Sequence, residues 1–213
     1  CEEDEGASGF GTKSWALSAS TRWLPAAATS GAWWPSSSSM IRRRGLRPGR
    51  SPGDGVRSFS ASFVFGIIPP YSDLSGHGIV FFVGKDNFSA ALPSQYLGLL
   101  NSANNGNATN HIFGVELDTI QSKEFQDPDD NHVGIDVNSL NSSAAAMAGY
   151  YDDATGAFRN LSLASREPMQ VWVDYDAQAR RINVTLAPVQ VPRPRNPLLS
   201  EVIDLSTVMV DEM

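Results

Sequence analysis

The sequence lacks the groups that staple a small protein or anchor it in a membrane. Its 213 residues include a single cysteine, Cys1, so no disulfide can form within the chain. No apolar run reaches the ~18–20 residues that a membrane-spanning helix needs. The chain starts without Met and without a signal peptide, as expected of a processed chain or of a piece of a longer one. A disulfide-stapled scaffold is therefore excluded, and no membrane span is predicted within the sequence.

Basic residues are also scarce relative to acidic ones. Sixteen Lys and Arg stand against 23 Asp and Glu, which gives a net charge of −7. Because nucleic-acid binding needs a basic face that neutralises phosphates, this balance argues against nucleic acid as the main partner. It fits an extracellular protein or a cation binder. The length is sufficient for one large all-β domain with a sizeable core.

Several Asn-x-Ser/Thr triplets provide the acceptor sequence for N-glycosylation. Their number in a chain of this length favours the secretory pathway, although a sequence rich in Asn and Ser also produces such triplets by composition. We therefore expect a secreted protein, or one on the extracellular face of the plasma membrane. The five acceptors are Asn87, Asn107, Asn141, Asn160 and Asn183.

From residue 58 onward, apolar residues alternate with polar ones at the period of a β-strand. The alternating segments are separated by clusters of Gly, Asn, Asp and Pro, and no long amphipathic helix lies between them. This arrangement predicts an all-β sandwich rather than an α/β sheet. The predicted strands cover residues 58–65, 78–83, 112–118, 132–137, 171–175 and 182–186.

Residues 1–57 have a different composition. They contain four of the five Trp residues, a basic cluster between Arg42 and Arg50, and a serine run from Ser36 to Ser39. No stretch sustains the period of a strand or helix, which is typical of a disordered arm. A basic arm could contact an anionic surface, although adjacent arginines more often form a solvated patch. We predict an atypical segment at 1–57 and a domain at 58–213.

The strongest chemical signal lies between Glu116 and His132. Glu116 and Asp118 are two residues apart on a predicted strand, so their carboxylates project from one face. Asp127 follows in a loop rich in oxygen ligands, and His132 opens the next strand. Carboxylates with an imidazole suit a transition metal such as Mn²⁺, whereas carboxylates with carbonyl and amide oxygens suit Ca²⁺. A carboxylate shared by two ions would explain the density of acids.

Other interpretations of this segment can be compared by spacing. An EF-hand loop starting at Asp127 needs Gly at its sixth position, which is His132 here. A zinc hydrolase of the H-E-x-x-H type needs paired histidines on a helix, and the sequence has none. A sandwich-fold glycoside hydrolase would use Glu116 and Asp118 as acid and nucleophile, but His132 and the loop acids favour coordination. An acid-rich surface turn without an ion stays open from composition alone.

The same segment carries a family resemblance. Val115–Thr119, Asp127–Pro128 and Asn131–Ser139 resemble the β-chain signature of legume lectins, and most closely the lectin domains of plant L-type lectin receptor-like kinases. The resemblance runs from about Arg57 to the C-terminus. Further matching segments, in order, are Ser58–Phe65, Gly76–Phe82, Leu97–Asn101 and Gly106–Phe113.

The resemblance implies a concanavalin-like jelly-roll sandwich that holds one Mn²⁺ and one Ca²⁺ side by side. It also implies binding of a glycan or glycoconjugate rather than catalysis. By position, the implied metal ligands are Glu116 and His132 for Mn²⁺, Asp118 and Asp127 for both ions, the Ile120 carbonyl for Ca²⁺, and Ser142 near a manganese-bound water.

The implied carbohydrate site departs from the family at two positions. Soluble members use an Asp, set by a cis peptide, and an Asn that binds both Ca²⁺ and sugar, whereas this chain has His77 and Ser122 there. A hydroxyl is a shorter and weaker calcium ligand, so the calcium half is expected to be weakened or water-bridged. Gly106 matches a glycine whose backbone N–H contacts sugar. We expect a degenerate monosaccharide pocket formed by His77, Gly106 and Ser122.

Both ends of the chain differ from the family. Residues 1–57 have the length of its N-terminal strand-rich stretch but not its sequence, which suggests out-of-frame or mis-spliced translation. Residues 208–213 stop where the family continues into a last pair of strands. We expect truncated C-terminal strands and open sheet edges, through which two copies could pair as a homodimer. A domain that no longer binds sugar, or an unstable fragment of a lectin receptor kinase, stays an alternative.

Overall fold

The computed structural model describes residues 15–17, 56–69, 76–84 and 88–209. Within these ranges the chain forms eleven strands and four 3₁₀ helices, without an α-helix. The helices are Ser94–Tyr96, Ala108–Asn110, Lys123–Phe125 and Leu205–Thr207. The strands are β1 (Trp15–Leu17), β2 (Phe59–Phe65), β3 (Gly78–Gly84), β4 (Ile112–Asp118), β5 (His132–Val137), β6 (Ala144–Met147), β7 (Gly149–Tyr151), β8 (Phe158–Asn160), β9 (Met169–Asp176), β10 (Arg181–Pro188) and β11 (Leu199–Val202).

One sheet contains four antiparallel strands in the order β11-β10-β9-β2. Met169, Val171, Val173 and Tyr175 of β9 are buried, and the residues between them are partly exposed. This alternation is what an antiparallel sheet with one face on the core requires. Among the described strands, β2 lies at an edge of this sheet.

The second sheet has the order β1-β3-β4-β5-β6, and all of its pairs are antiparallel except β1 with β3. β4 is buried along its whole length, so both faces of this central strand are covered. β1 lies within the segment predicted to be atypical, and these three residues form a strand there. Most of the other residues in 1–57 lie outside the described ranges, so the prediction that this segment is disordered falls outside them too.

The two sheets face each other across one hydrophobic core. Phe63 of β2 stacks on Phe81 of β3 with ring centroids 5.9 Å apart, and Phe59 meets Phe113 of β4 at 6.5 Å. Leu205 of the last 3₁₀ helix is fully buried in the same core. The predicted all-β sandwich is confirmed, and each of the six predicted strands corresponds to an observed one.

A second hydrophobic cluster covers part of the outer face of the five-stranded sheet. Val80 of β3 and Ile112 of β4 pack there with Leu97, Leu100 and Phe125 from the connecting loops. The remaining outward positions of β4 and β5 are mostly polar, and they are buried as well. Buried polar side chains beside an apolar cluster indicate a candidate functional site on this face. No helix in the described ranges is long and apolar enough to cross a bilayer.

Candidate metal and ligand site

Strand alternation and register bring three candidate ligands onto one face of the five-stranded sheet. Glu116 and Asp118 point away from the core, because the alternate residues Val115 and Leu117 belong to it. In the antiparallel register, Asp118 lies opposite His132 of β5. One ligand atom from each of Glu116, Asp118 and His132 lies within 4.8 Å of the others. The sheet alone therefore builds a compact, buried cluster of two acids and an imidazole.

The loop after β4 supplies the fourth candidate ligand. Asp127 Oδ1 lies 3.9 Å from His132 Nε2, and the other Asp127 oxygen accepts the Ser122 backbone N–H at 2.6 Å. Asp118 Oδ1 likewise accepts the Ile120 N–H at 2.7 Å. These two bonds fold the loop around its own acids, so Asp127 returns to the strand end that carries Asp118. The predicted ligands that are distant in sequence therefore meet at one place.

The buried His132 ring is held in one orientation. Its Nδ1 lies 2.9 Å from the Asp129 carbonyl oxygen, which can only accept, so Nδ1 carries a proton. Its Nε2 is buried without a hydrogen-bond partner and lies 3.4 Å from Glu116 Oε1. A histidine whose Nδ1–H is bonded to a carbonyl presents its other nitrogen to a metal ion. This unpartnered nitrogen among carboxylates fits a divalent cation.

Burial of neighbouring acids changes their affinity for protons. Burial raises the pKa of Asp118 to about 7, against the opposing hydrogen bond from Ile120. Burial also raises the pKa of Asp127. For His132, burial by itself lowers the pKa, but Glu116 and the two aspartates raise it to about 9. Protons therefore balance the charge of the cluster, and a divalent cation can replace them because metal ligands bind in their deprotonated forms.

Ser142 connects this cluster to a further buried acid, which was missing from the sequence prediction. Its Oγ lies 2.6 Å from Glu116 Oε1 and 2.8 Å from Asp136 Oδ1. Burial and the charge of Glu116 raise the pKa of Asp136 well above its ordinary value. A hydroxyl has one proton, so Ser142 can donate to only one of these two carboxylates at a time, and a proton on Asp136 would supply the second hydrogen bond. The sequence could have indicated Asp136, because it follows His132 at an even spacing and so shares the same face of β5.

His77 and Ser122 lie beside the candidate metal ligands. The His77 carbonyl accepts the Thr119 N–H at 3.3 Å, directly after Asp118. Burial lowers the pKa of His77, so the ring is neutral at pH 7, and its Nδ1 is buried without a hydrogen-bond partner. Ser122 is buried and begins the short helix Lys123–Phe125. A neutral ring and a hydroxyl therefore stand next to the acid cluster.

Gly106 lies away from these two residues, which corrects the predicted three-residue pocket. Its backbone N–H donates to the Asn138 carbonyl at 2.9 Å, just beyond the C-terminal end of β5. His77 and Ser122 adjoin the other end of the seven-residue strand β4. At the rise of a β-strand, the two ends are roughly 20 Å apart. A monosaccharide held at His77 and Ser122 is therefore out of reach of Gly106.

The acceptor asparagines fall at several places on the surface. Asn107, Asn141 and Asn160 are exposed, and Asn183 is partly buried within β10. Asn87 lies outside the described residues. The four described acceptors therefore differ in how much of the side chain is accessible.

Comparison with known proteins gives this geometry a context. The profile of the family described as legume lectin domain matches residues 43–213. The chain is 59% identical over 157 residues to the L-type lectin-domain containing receptor kinase SIT2 of Oryza sativa subsp. japonica, covering 73% of this chain and 23% of that protein. It is 55% identical over 164 residues to the L-type lectin-domain containing receptor kinase IV.1 of Arabidopsis thaliana, covering 76% and 24%. The chain thus spans about a quarter of the length of these relatives.

Solved structures share the architecture. The lectin UEA-II complexed with galactose aligns with a TM-score of 0.59 at 26% identity, covering 78% of this chain and 65% of that one. Lectin II from Ulex europaeus aligns with a TM-score of 0.60 at 26% identity, covering 77% and 64%. The two-sheet sandwich is therefore similar to the jelly-roll fold of these lectins.

Proposed function

The chain belongs to the legume lectin family, and we propose that it is an extracellular glycan-recognition module organised by a Ca²⁺ and Mn²⁺ site on its five-stranded sheet. The observation that carries the proposal is the buried, unpartnered Nε2 of His132, which faces the carboxylates of Glu116, Asp118 and Asp127. The family consists of binding proteins rather than enzymes. In keeping with this, Glu116 and Asp118 are only 2% and 3% exposed, so they do not face a substrate cleft as a hydrolase pair would.

The donor set divides into two halves of unequal quality. The manganese half combines an imidazole nitrogen with carboxylates, which suits a transition metal. The calcium half shares two of those carboxylates and adds a backbone carbonyl and the Ser122 hydroxyl, where the family has an amide. When bound, the ions would supply fixed positive charge that holds the loop after β4 in place. The proposed ligands are Glu116, Asp118, Asp127 and His132 for Mn²⁺, with Ser142 behind Glu116, and Asp118, Asp127, Ile120 and Ser122 for Ca²⁺.

The metal proposal is tested by the ion content and metal affinity of two loop variants. Asp127→Asn removes a carboxylate of the cluster, whereas Asp130→Asn removes an exposed one from the same loop. Elemental analysis of the purified protein should find both metals, and titration of stripped protein should show Mn²⁺ affinity at least about tenfold lower in the first variant. Asp130→Asn should match the parent chain. Equal affinities in the two variants, or absence of both ions, would overturn the proposal.

The ligand pocket is proposed to be degenerate for simple sugars. A carboxylate holds sugar hydroxyls by charge-assisted hydrogen bonds, which are roughly twice as strong as the neutral ones that His77 and Ser122 can form. We therefore expect weak monosaccharide binding, with recognition resting on larger glycans or glycoconjugates. The second candidate, a recognition domain that no longer binds sugar, is favoured by the same two residues.

A gain-of-function variant tests whether the pocket is degenerate, and a glycan array separates the two candidates. The double variant His77→Asp with Ser122→Asn restores the family's pair, and we expect it to raise monosaccharide affinity by about tenfold in the presence of Ca²⁺. The control is Ser200→Asn, which places the same amide on β11 of the other sheet. A glycan array of the parent chain, run with and without Ca²⁺, identifies the larger ligand. An array without calcium-dependent binding would reject the glycan-binding candidate.

The proposed location of the domain rests on its relatives. The matched relatives are receptor kinases, and we propose that this chain likewise acts at the extracellular face of the plasma membrane or as a secreted form. We also propose the domain boundary near residue 58, with residues 1–57 arising from altered translation. Sequencing the transcript tests this origin, and an intact reading frame across residues 1–57 would reject it.

A further inference from the structure

Two loops meet at the end of the five-stranded sheet that is opposite the metal cluster. Asn138 adopts a left-handed backbone conformation with φ 58°, and its carbonyl accepts the Gly106 N–H and the Asn110 side-chain amide at 2.9 Å each. In the other direction, the Asn105 side-chain oxygen accepts the Leu140 N–H at 2.8 Å. Asparagine side chains and backbone groups thus hydrogen-bond the two loops to each other. We call these two loops, which comprise residues 101–110 and 138–141, the asparagine junction.

The asparagines of the junction fall into two groups. Five of them use their side-chain amides in bonds that hold the loops: Asn101, Asn104, Asn105, Asn110 and Asn138. The other two are exposed, and their amide nitrogens donate no hydrogen bond within the described residues. Asn107 only accepts, from the N–H and the hydroxyl of Thr109 at 2.9 Å each, and the Asn141 side chain makes no hydrogen bond there.

The division by structural role coincides with a division by sequence. Asn107 and Asn141 each begin an Asn-x-Ser/Thr acceptor triplet, and none of the five inward-bonded asparagines does. Triplets produced only by an Asn- and Ser-rich composition would have no reason to avoid the inward positions. Glycosylation requires a free amide nitrogen and space for a bulky hydrophilic group, and these two positions provide both.

We propose that Asn107 and Asn141 carry N-linked glycans, which cover the asparagine junction. This rests on the proposed extracellular function. Asn107 lies toward the end of β4 that is away from His77 and Ser122, and the two ends are roughly 20 Å apart at the rise of a β-strand. Asn141 directly precedes Ser142, whose hydroxyl contacts Glu116 of the metal cluster at 2.6 Å. Glycans at these two positions would prevent another protein from packing against the junction.

Asn183 provides an internal contrast within the same chain. It lies in the middle of β10, opposite Asp174 of β9 and Ser200 of β11. The hydroxyl residue of its triplet, Thr185, is 2% exposed. A glycan there would have to stand on a partly covered sheet face, so its occupancy should be lower than at the junction.

The test is site-resolved mass spectrometry of the full chain secreted from plant or insect cells. Glycopeptides should show high occupancy at Asn107 and Asn141 and lower occupancy at Asn183. Asn107→Gln and Asn141→Gln should each remove one glycan. Thr109→Ala and Ser143→Ala, which destroy the triplets but keep the asparagines, serve if either Gln variant fails to fold.

Secreted protein that is modified elsewhere but bare at Asn107 or Asn141 would overturn the proposal. Site occupancy is read whether or not the chain binds sugar, so failure of this inference is distinguishable from failure of the proposed function.

Discussion

At the scale of single residues, the raised pKa of Asp136 leads to a prediction about its protonation state. We predict that Asp136 is neutral and donates to the Ser142 hydroxyl, which lies 2.8 Å away. Asp136→Asn keeps a neutral donor of the same shape, so Mn²⁺ affinity should stay within about threefold, whereas Asp136→Ala should lower it by about 10-fold or more. Isothermal titration of the two variants checks this. Equal losses in both would mean that the carboxylate acts in its charged form.

Gly134 controls how closely Ser142 approaches Glu116. A methyl group at this position would collide with the Ser142 hydroxyl and the Glu116 carboxylate. Gly134→Ala should therefore displace the ligand, lowering Mn²⁺ affinity by about 10-fold or more and stability by about 1–3 kcal/mol. Chemical denaturation with metal titration measures both. Gly66→Ala is the control, because the nearest atom to its new methyl is 3.9 Å away, and a similar loss there would contradict the local explanation.

The residues of the site were predictable to different degrees. Glu116, Asp118 and His132 follow from strand period and spacing, because a strand fixes which side chains share a face. Asp127 was a candidate from its spacing in the loop, but the period of a strand does not fix where a loop side chain points. Gly106 was grouped with His77 and Ser122 because a motif match carries no information on the distance between loops. The structure shows instead that its N–H is used by Asn138.

At the scale of elements, the long strands could be predicted from the sequence and the short ones could not. β4 and β5 begin and end at the predicted residues, since buried alternating runs are the clearest strand signal. β6 consists of three alanines and a methionine, and β8 is exposed at all three positions. Such segments have little intrinsic strand preference, and they become strands through pairing with β5 and β7.

The pairing of β4 with β5 also predicts a pH dependence for the metal-free domain. The pKa of His132 is raised from 6.5 to about 9, and that of Asp118 from 3.8 to about 7. In both cases the folded chain binds a proton more tightly than the unfolded chain, so this stabilisation is lost as pH rises through the folded values. The Tm of metal-stripped protein should therefore fall between about pH 6 and pH 9. A Tm that rises over this window would contradict the assignment.

At the scale of the whole molecule, metal binding should stabilise the fold as well as the site. Ions that bind only the folded chain at a concentration of about 100 times Kd contribute about 2.7 kcal/mol. For a domain of this size, each kcal/mol raises Tm by roughly 2–4 °C. Calorimetry with Mn²⁺ and Ca²⁺ should show a single transition at higher temperature than in chelator. The absence of a cooperative transition under both conditions would identify the chain as an unstable fragment.

The free edge of the four-stranded sheet bears on assembly. Among the described strands, β2 pairs only with β9, and Val64 on β2 is 55% exposed. An edge of unpaired N–H and C=O groups is a template for a second strand, and a lysine there opposes such pairing. If two copies pair through β2, Val64→Lys should shift the protein to monomer in sedimentation or light scattering. Val202→Lys on β11, the other edge and equally exposed, should leave the dimer intact. If Val202→Lys dissociates the dimer instead, the interface lies at β11. A parent chain that is monomeric at all concentrations would reject pairing through either edge.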